Sequence, residues 1–248
     1  MIVIGEKINC VVPVVKKAVE QRDKRMIREL AQRQVEAGAH YLDVCAGSET
    51  ENETEIILWM MDVVQNVVDT PLCIDSKNVR VIEEVIQYAK RPGIINSVSC
   101  KDENCDAVFA LIKETHWQII VQTIQKNGVP EDPRCRFAIA DAVYEKALKH
   151  GIAPDRLHID PIVAAVSKDH HSLRKFMQTA DAIKTSYPAV KITAAISNIS
   201  LGMPLRKKLN QHFYALASYV GLDSAILDPC DGGMRTSILT MDALLSRS

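Results

Sequence analysis

The residues of this chain best placed to do chemistry are Glu6, Asp43, Asp75, Asn96, Gln122, Asp160, Asn198 and Asp228. Each closes a short apolar run, and every one is a carboxylate or a carboxamide. Any single one could cap a helix or close a turn. Capping alone would also have recruited serine, threonine and glycine, so the unbroken set points to a binding ring. Five acids and no lysine or arginine at these positions disfavour a phosphate or carboxylate recognised deep in the site. They suit a neutral heterocycle that presents N–H donors beside a carbonyl. A guanidine-like edge of that kind lays two parallel hydrogen bonds on one carboxylate.

The elements that carry these residues alternate. Apolar runs at 2–5, 40–44, 72–75, 94–96, 117–123, 157–160, 191–196 and 224–228 are separated by stretches of helical period. Met26, Ile27, Leu30, Ala31 and Val35 share one face, as do Ile56, Ile57, Met60, Met61, Val64 and Val68. Leu205, Leu209, Phe213, Leu216 and Val220 form a third such face. Eight strand-like runs in 248 residues give βα units of about 31 residues. This predicts an α/β fold, a closed (β/α)8 TIM barrel in one domain over 1–248, with its chemistry at the carboxyl ends of the strands. Gly38, Gly93, Gly151 and Gly221 precede the second, fourth, sixth and eighth strands, where a left-handed residue ends a helix. Pro71 and Pro188 stop helices, and Pro133 and Pro204 sit where helices begin. An open doubly wound sheet would show a glycine-rich phosphate turn after the first strand, which is absent.

Composition narrows the function further. Hydrophobic residues make up 47% and charged residues 25%, and the formal charge of −1 lacks the basic excess that nucleic-acid binding needs. No apolar run approaches the roughly 20 residues of a membrane span. The early charges at Glu6 and Lys7 do not fit a signal peptide, so a cytoplasmic protein without membrane contact is expected. Seven scattered cysteines with no Cys-x-x-Cys pair suit reduced thiols. Cys10, Cys45, Cys100 and Cys230 fall near strand ends, but none are adjacent, and small buried hydrophobes are expected rather than zinc ligands. Metal-dependent barrel hydrolases usually open with His-x-His, whereas this first strand reads Ile-Val-Ile-Gly-Glu. His158 and Asp160 alone fall short of a metal site, so His158 is expected to be a hydrogen-bonded inner-layer residue and no metal is expected.

Six segments carry a resemblance. They are Gly-Glu-Lys-Ile-Asn (5–9), Gly-Ala-His-Tyr-Leu-Asp-Val (38–44), Cys-Ile-Asp-Ser-Lys-Asn (73–78), Ile-Ile-Asn-Ser (94–97), Ile-Asp-Pro (159–161) and Ser-Asn-Ile-Ser-Leu-Gly-Met-Pro-Leu-Arg (197–206). Together they resemble the pterin-binding methyltransferases, which move a methyl group between N5 of tetrahydrofolate and the cobalt of a corrinoid. Methyltetrahydrofolate:corrinoid protein methyltransferases and the folate module of cobalamin-dependent methionine synthase are the members most similar. Dihydropteroate synthase shares the barrel and the pterin pocket. Its Asp-Ser-Phe-Ser loop and closing Arg-x-His are missing here, where no histidine follows Arg235. A pterin-condensing enzyme of that type and a non-catalytic pterin-binding subunit of a demethylase complex remain the alternatives.

The resemblance implies that Asp75, Asn96 and Asp160 hold the pterin ring and that Asn198 lies near N5. It implies a role at the pocket mouth for Glu6 and Asn9. Gln122 and Asp43 complete the substrate-binding set, with Asp43 and Asp228 also suited to ordering the ring of side chains. Tetrahydrofolate or 5-methyltetrahydrofolate is then the substrate, in either direction of transfer. Asn198 is the expected catalytic group, an amide donor whose bond strengthens as charge develops on N5. With no acid or base evident at that strand end, water or bulk solvent is expected to supply the proton. The segment Asp169-His170-His171-Ser172-Leu173-Arg174 imitates a cobalt-ligand signature but has Arg174 in place of its glycine. It is expected to open the sixth outer helix, and the cobalamin to ride on a separate corrinoid protein. Arg206, Lys207 and Lys208 form a solvated face or meet the glutamate tail of folate or an acidic partner. A homodimer is expected from the resemblance.

Overall fold

A computed structural model describes residues 1–47, 52–100 and 104–246. The strands are β1 (Ile2–Asn9), β2 (Tyr41–Cys45), β3 (Leu72–Asp75), β4 (Ile94–Ser99), β5 (Gln118–Gln122), β6 (Leu157–Asp160), β7 (Lys191–Ala195) and β8 (Leu222–Leu227). They pair in parallel in chain order, and β8 closes on β1 to complete a barrel. The helices are α1 (Pro13–Glu20), α2 (Lys24–Glu36), α3 (Glu53–Gln65), α4 (Val79–Val85), α5 (Asn104–Ile112), α6 (Pro133–Lys149), α7 (Ser172–Ser186), α8 (Arg206–Tyr219) and α9 (Gly232–Leu244). The (β/α)8 architecture expected from the alternation is the one found. Its first crossover holds two helices, because Pro13 starts α1 and Asp23, accepting from the Met26 N–H, caps α2. The short α1 had no separate signal in the helical period.

The punctuation holds with two corrections. Gly38, Gly151 and Gly221 take positive φ as expected, but Gly93 does not. Gly93 serves close approach instead: a Cβ there would collide with the Leu72 carbonyl oxygen of the neighbouring strand. Pro133 opens α6, whereas Pro204 stands before Leu205, a left-handed residue (φ 56°) that precedes α8. Cys100, just after β4, and Cys105, in the first turn of α5, form a disulfide, their Cα atoms 5.0 Å apart. The expectation of reduced thiols therefore fails for this pair, which the fold brings together; Cys10, Cys45, Cys73, Cys135 and Cys230 are free.

Most apolar side chains fill the shell between barrel and helices, including Phe109, Phe176 and Tyr214. Inside the barrel the side chains stack in layers. Ile4, Cys73, Ile94, Ile120 and Ile226 form an apolar plug. Toward the amino ends of the strands, His158 is fully buried between Ser224 Oγ at 2.8 Å and Gln118 Oε1 at 2.9 Å, the inner-layer role expected for it. Burial holds its imidazole down to about 3, so it is neutral. Above the plug, at the carboxyl ends, the acids and amides converge. No helix among the described residues is long and apolar enough to cross a membrane.

Candidate active site

The carboxyl ends of the strands open into a cavity of about 710 Å³. Glu6, Asn9, Asp43, Asp75, Asn96, Gln122, Asp160 and Asn198 all line it. Seven of the eight residues of the ring thus share one cavity. Asp228 lines a smaller adjoining cavity of about 300 Å³, which shares Glu6, Ser197 and Arg206 with the larger one. Cations are present after all: Lys7, Lys77 and Arg206 line the larger cavity. They stand one or two residues beyond a strand-end acid or at the start of α8, so the ring's closing residues alone do not reveal them.

Register explains how each acid reaches the cavity. Asp43 pairs with Cys73, and Cys45 pairs with Asp75, which pairs in turn with Asn96. Neighbours in register share a face, so two acids, two thiols and an amide all point inward. Asn96 Nδ2 donates to Asp43 Oδ1 at 3.0 Å, leaving the Asn96 carbonyl oxygen for a ligand. Asp43 is 2% exposed. Burial first, and then Asp75 beside it, push its carboxyl well above the usual range. Burial also raises Asp75, against a Cys45 thiol that donates to it and the nearby Lys77. Two acids packed above an apolar plug resist ionising together, and the deeper Asp43 is raised the further of the two. Asp43 thereby fixes the orientation of the Asn96 carboxamide.

On β1 a local irregularity sets Glu6 facing the cavity. Gly5 pairs with Leu42 and Ile8 with Val44, which leaves one residue too many between them. The buried Gln34 of α2 fills the gap, its Oε1 accepting the Lys7 N–H at 2.9 Å. A Cβ on Gly5 would collide with that oxygen. Gly5 and Gln34 thus belong together, and the signal for Gln34 was a polar residue on a buried helix face. Asn9 turns its Oδ1 back to the Val11 N–H at 2.8 Å.

Asp160 closes β6 with its Oδ1 accepting the Ile162 N–H at 2.8 Å. Burial pushes its carboxyl up to about 6, against that bond, a hydrogen bond from Gln122 and the nearby Arg136. Ile162 has a φ of 62°, a costly conformation for a β-branched residue. Arg136 of α6, itself buried, holds the loop in place. Its Nε donates to the Pro130 carbonyl at 2.7 Å, and its Nη1 to those of Pro161 and Ile162 at 3.1 and 2.9 Å. Like Gln34, Arg136 was missed because a polar residue on an apolar stripe had been given no task. Arg136→Ala leaves three carbonyls without their donor and is expected to cost about 3 kcal/mol in urea unfolding. A loss below about 0.5 kcal/mol, the scale of an ordinary surface change, would show that the arginine does not hold these loops.

Asn198 lies in a 3-10 turn, Ile196–Ser200, directly after β7. It is exposed to the cavity, and no hydrogen-bond partner for its amide is found among the described residues. Arg206 fixes that turn, donating from Nε to Ser200 Oγ and from Nη2 to the Ser197 carbonyl, both at 3.1 Å. Ser197 Oγ donates to Glu6 Oε2 at 3.0 Å, joining the end of β7 to β1. Asp228 meets Lys7 Nζ at 3.2 Å and accepts the Cys230 N–H, an ordering role. Asp169 accepts the His171 N–H and pairs with Lys175, so the segment at 169–174 opens α7 as expected.

A closed parallel barrel with its polar cavity at the carboxyl ends is the scaffold of a (β/α)8 enzyme. The chain belongs to the pterin-binding enzymes, whose family model matches residues 14–228. It is 43% identical, over 99% of its length and 91% of the relative's, to the methylcorrinoid:tetrahydrofolate methyltransferase of Eubacterium limosum. It is also 26% identical over 92% of its length to the methionine synthase of Mycobacterium leprae (strain TN), where the match covers 20% of that longer protein. Among solved structures, dihydropteroate synthase from Thermus thermophilus superposes with a TM-score of 0.71 at 18% identity, over 98% of this chain and 94% of that one. At that identity the likeness is one of fold.

Proposed function

We propose that this chain transfers a methyl group from the cobalt of a corrinoid, carried on a separate protein, to N5 of tetrahydrofolate. The observation that carries this reading is the convergence of Asp75, Asn96 and Asp160 in one cavity of a chain with the relatives just described. Asp75 and Asp160 accept from the 2-amino and N3–H groups of the pterin, and Asn96 serves its carbonyl edge. Gln122 braces Asp160, Asp43 braces Asn96, and Glu6 and Asn9 stand at the mouth. Asn198 faces N5 from the turn after β7.

One pterin-binding domain spanning 1–248 performs the reaction, with the corrinoid protein docked over the open mouth. The corrinoid supplies an activated methyl group; the barrel supplies alignment, which removes much of the entropic barrier between two large reactants. A homodimer in the cytoplasm completes the reading, with five of the seven cysteines free and the Cys100–Cys105 disulfide standing against that compartment. Mixing the chain with a methylated corrinoid protein and excess tetrahydrofolate is expected to demethylate the corrinoid, followed by its absorbance, and to yield 5-methyltetrahydrofolate. Tetrahydrofolate bound without methyl exchange in either direction would leave only a pterin-binding subunit.

A further inference from the structure

Methylation turns the secondary amine N5 into an ammonium that must lose a proton, and no acid or base occurs in the turn that holds Asn198. We infer that Glu6 receives this proton through the Ser197 hydroxyl, so that the first strand, rather than bulk water, carries the acid–base chemistry at N5. The inference rests on the methyltransferase reading above. Its geometric basis is the 3.0 Å hydrogen bond from Ser197 Oγ to Glu6 Oε2, made directly beside Asn198. Both side chains line the larger cavity, and both also line the smaller one with Asp228, Asp231 and Lys207. Glu6 and Ser197 therefore form part of the wall between the larger cavity and the smaller one.

The charged groups around Glu6 are Asp43 from β2, Asp228 after β8, Lys7 beside it on β1 and Arg206 from α8. Acids and bases offset one another there, and burial is the largest influence, raising the Glu6 carboxyl above its usual range. A carboxylate of raised proton affinity is well matched to a weakly basic nitrogen. The step balances as follows. The N5 lone pair forms the bond to the methyl carbon, and the cobalt–carbon bond breaks with its electron pair remaining on cobalt. As that bond breaks, in the same transition state, the N5 proton passes to Ser197 Oγ while the hydroxyl's own proton passes to Glu6 Oε2. Asn198 can hold the N–H in place but has no basicity with which to take its proton.

Glu6→Gln keeps a partner for Ser197 and removes the proton acceptor. In single-turnover transfer from methylated corrinoid protein with tetrahydrofolate saturating, this variant is expected to react about 100-fold more slowly at neutral pH. Because Glu6 also stands at the cavity mouth, its Kd for tetrahydrofolate can change as well, but the loss of rate at saturating tetrahydrofolate is expected to exceed any loss of binding. As pH falls, the unaltered chain slows when Glu6 becomes protonated, whereas Glu6→Gln loses that acidic limb. Ser197→Ala gives a comparable loss, and the double variant is no slower than the slower single one, because the two groups act as a unit. Ser197→Ala carries the test alone if Glu6→Gln does not bind tetrahydrofolate. Rates within about threefold of the unaltered chain, or a loss confined to tetrahydrofolate Kd, overturn the inference. Absence of transfer by the unaltered chain overturns the reading beneath it and is seen before any variant is made.

Discussion

Asn198→Ala is expected to slow methyl transfer about 100- to 1,000-fold while tetrahydrofolate binds nearly as before. The carboxamide has no partner among the described residues and is exposed to the cavity, so nothing in the fold depends on it. An exposed truncation of this kind changes stability by about 0.5 kcal/mol or less, so lost rate cannot be blamed on lost fold. The turn is held from elsewhere, by Arg206 on Ser200 and on the Ser197 carbonyl. Asn198 thus projects from a fixed support, the condition under which one hydrogen bond is worth most to a transition state. In transfer toward folate the N5 lone pair goes into the new bond to carbon, so the carboxamide acts through its oxygen, accepting from the increasingly positive N5–H, and not as the donor expected from the sequence. In the opposite direction the same bond is present in the shared transition state, so both rates fall together. The check is single-turnover kinetics in both directions beside calorimetric binding of tetrahydrofolate. An unchanged rate, or a rate loss matched by an equal loss of binding, would remove Asn198 from the chemistry.

How far the sequence disclosed this site depends on the distance over which each contact forms. The strands were legible because a parallel strand buried on both faces is a continuous apolar run, and the residue that ends it faces the cavity. Asp75, Gln122 and Asp160 end their strands and followed directly from that rule, whereas Asn96 ends only the apolar run and β4 continues to Ser99. Side chains that reach the site from a helix were not legible, since Gln34 and Arg136 differ from their apolar stripes only by being polar. Contacts across the mouth were invisible. Ser197 and Glu6 lie 191 positions apart and meet only because the barrel closes. The Cys100–Cys105 bond escaped for a different reason: five positions is a spacing that many unpaired cysteines share. The rule that named the acids also hid Lys7 and Lys77, which fall just outside it.

Asp160→Asn is expected to weaken tetrahydrofolate binding and, at neutral pH, to stabilise the unliganded fold. The binding loss follows from the charge. A carboxylate accepting from a guanidine-like edge makes hydrogen bonds worth about 1.5–3 kcal/mol, and a neutral amide forfeits most of that, about 10- to 150-fold in Kd. The stability gain follows from burial. Asp160 is 8% exposed, and its carboxyl is raised to about 6. Below about pH 4, near the ordinary aspartate value, it is protonated in the folded and the unfolded chain alike, and its ionisation costs nothing. Between about pH 4 and about 6 the unfolded chain gives up this proton while the folded chain still holds it, so stability falls by about 1–3 kcal/mol, and above about 6 the loss is constant. Asparagine has no such ionisation and keeps an oxygen for the Ile162 N–H. The melting temperature of Asp160→Asn should therefore exceed that of the unaltered chain at pH 7.5 and approach it at pH 4, about the value at which both forms are neutral. Binding reports the same group from the other side. For the unaltered chain, Kd is expected to rise about tenfold per pH unit below about 6 as the acceptor is neutralised, with Asp75 adding to the slope. Calorimetric binding and thermal unfolding across that range test both arms. A variant that binds tetrahydrofolate as tightly as the unaltered chain, or melts lower at neutral pH, contradicts the assignment. A buried acid that weakens the empty fold and strengthens the filled one marks a group held for its ligand rather than for the barrel.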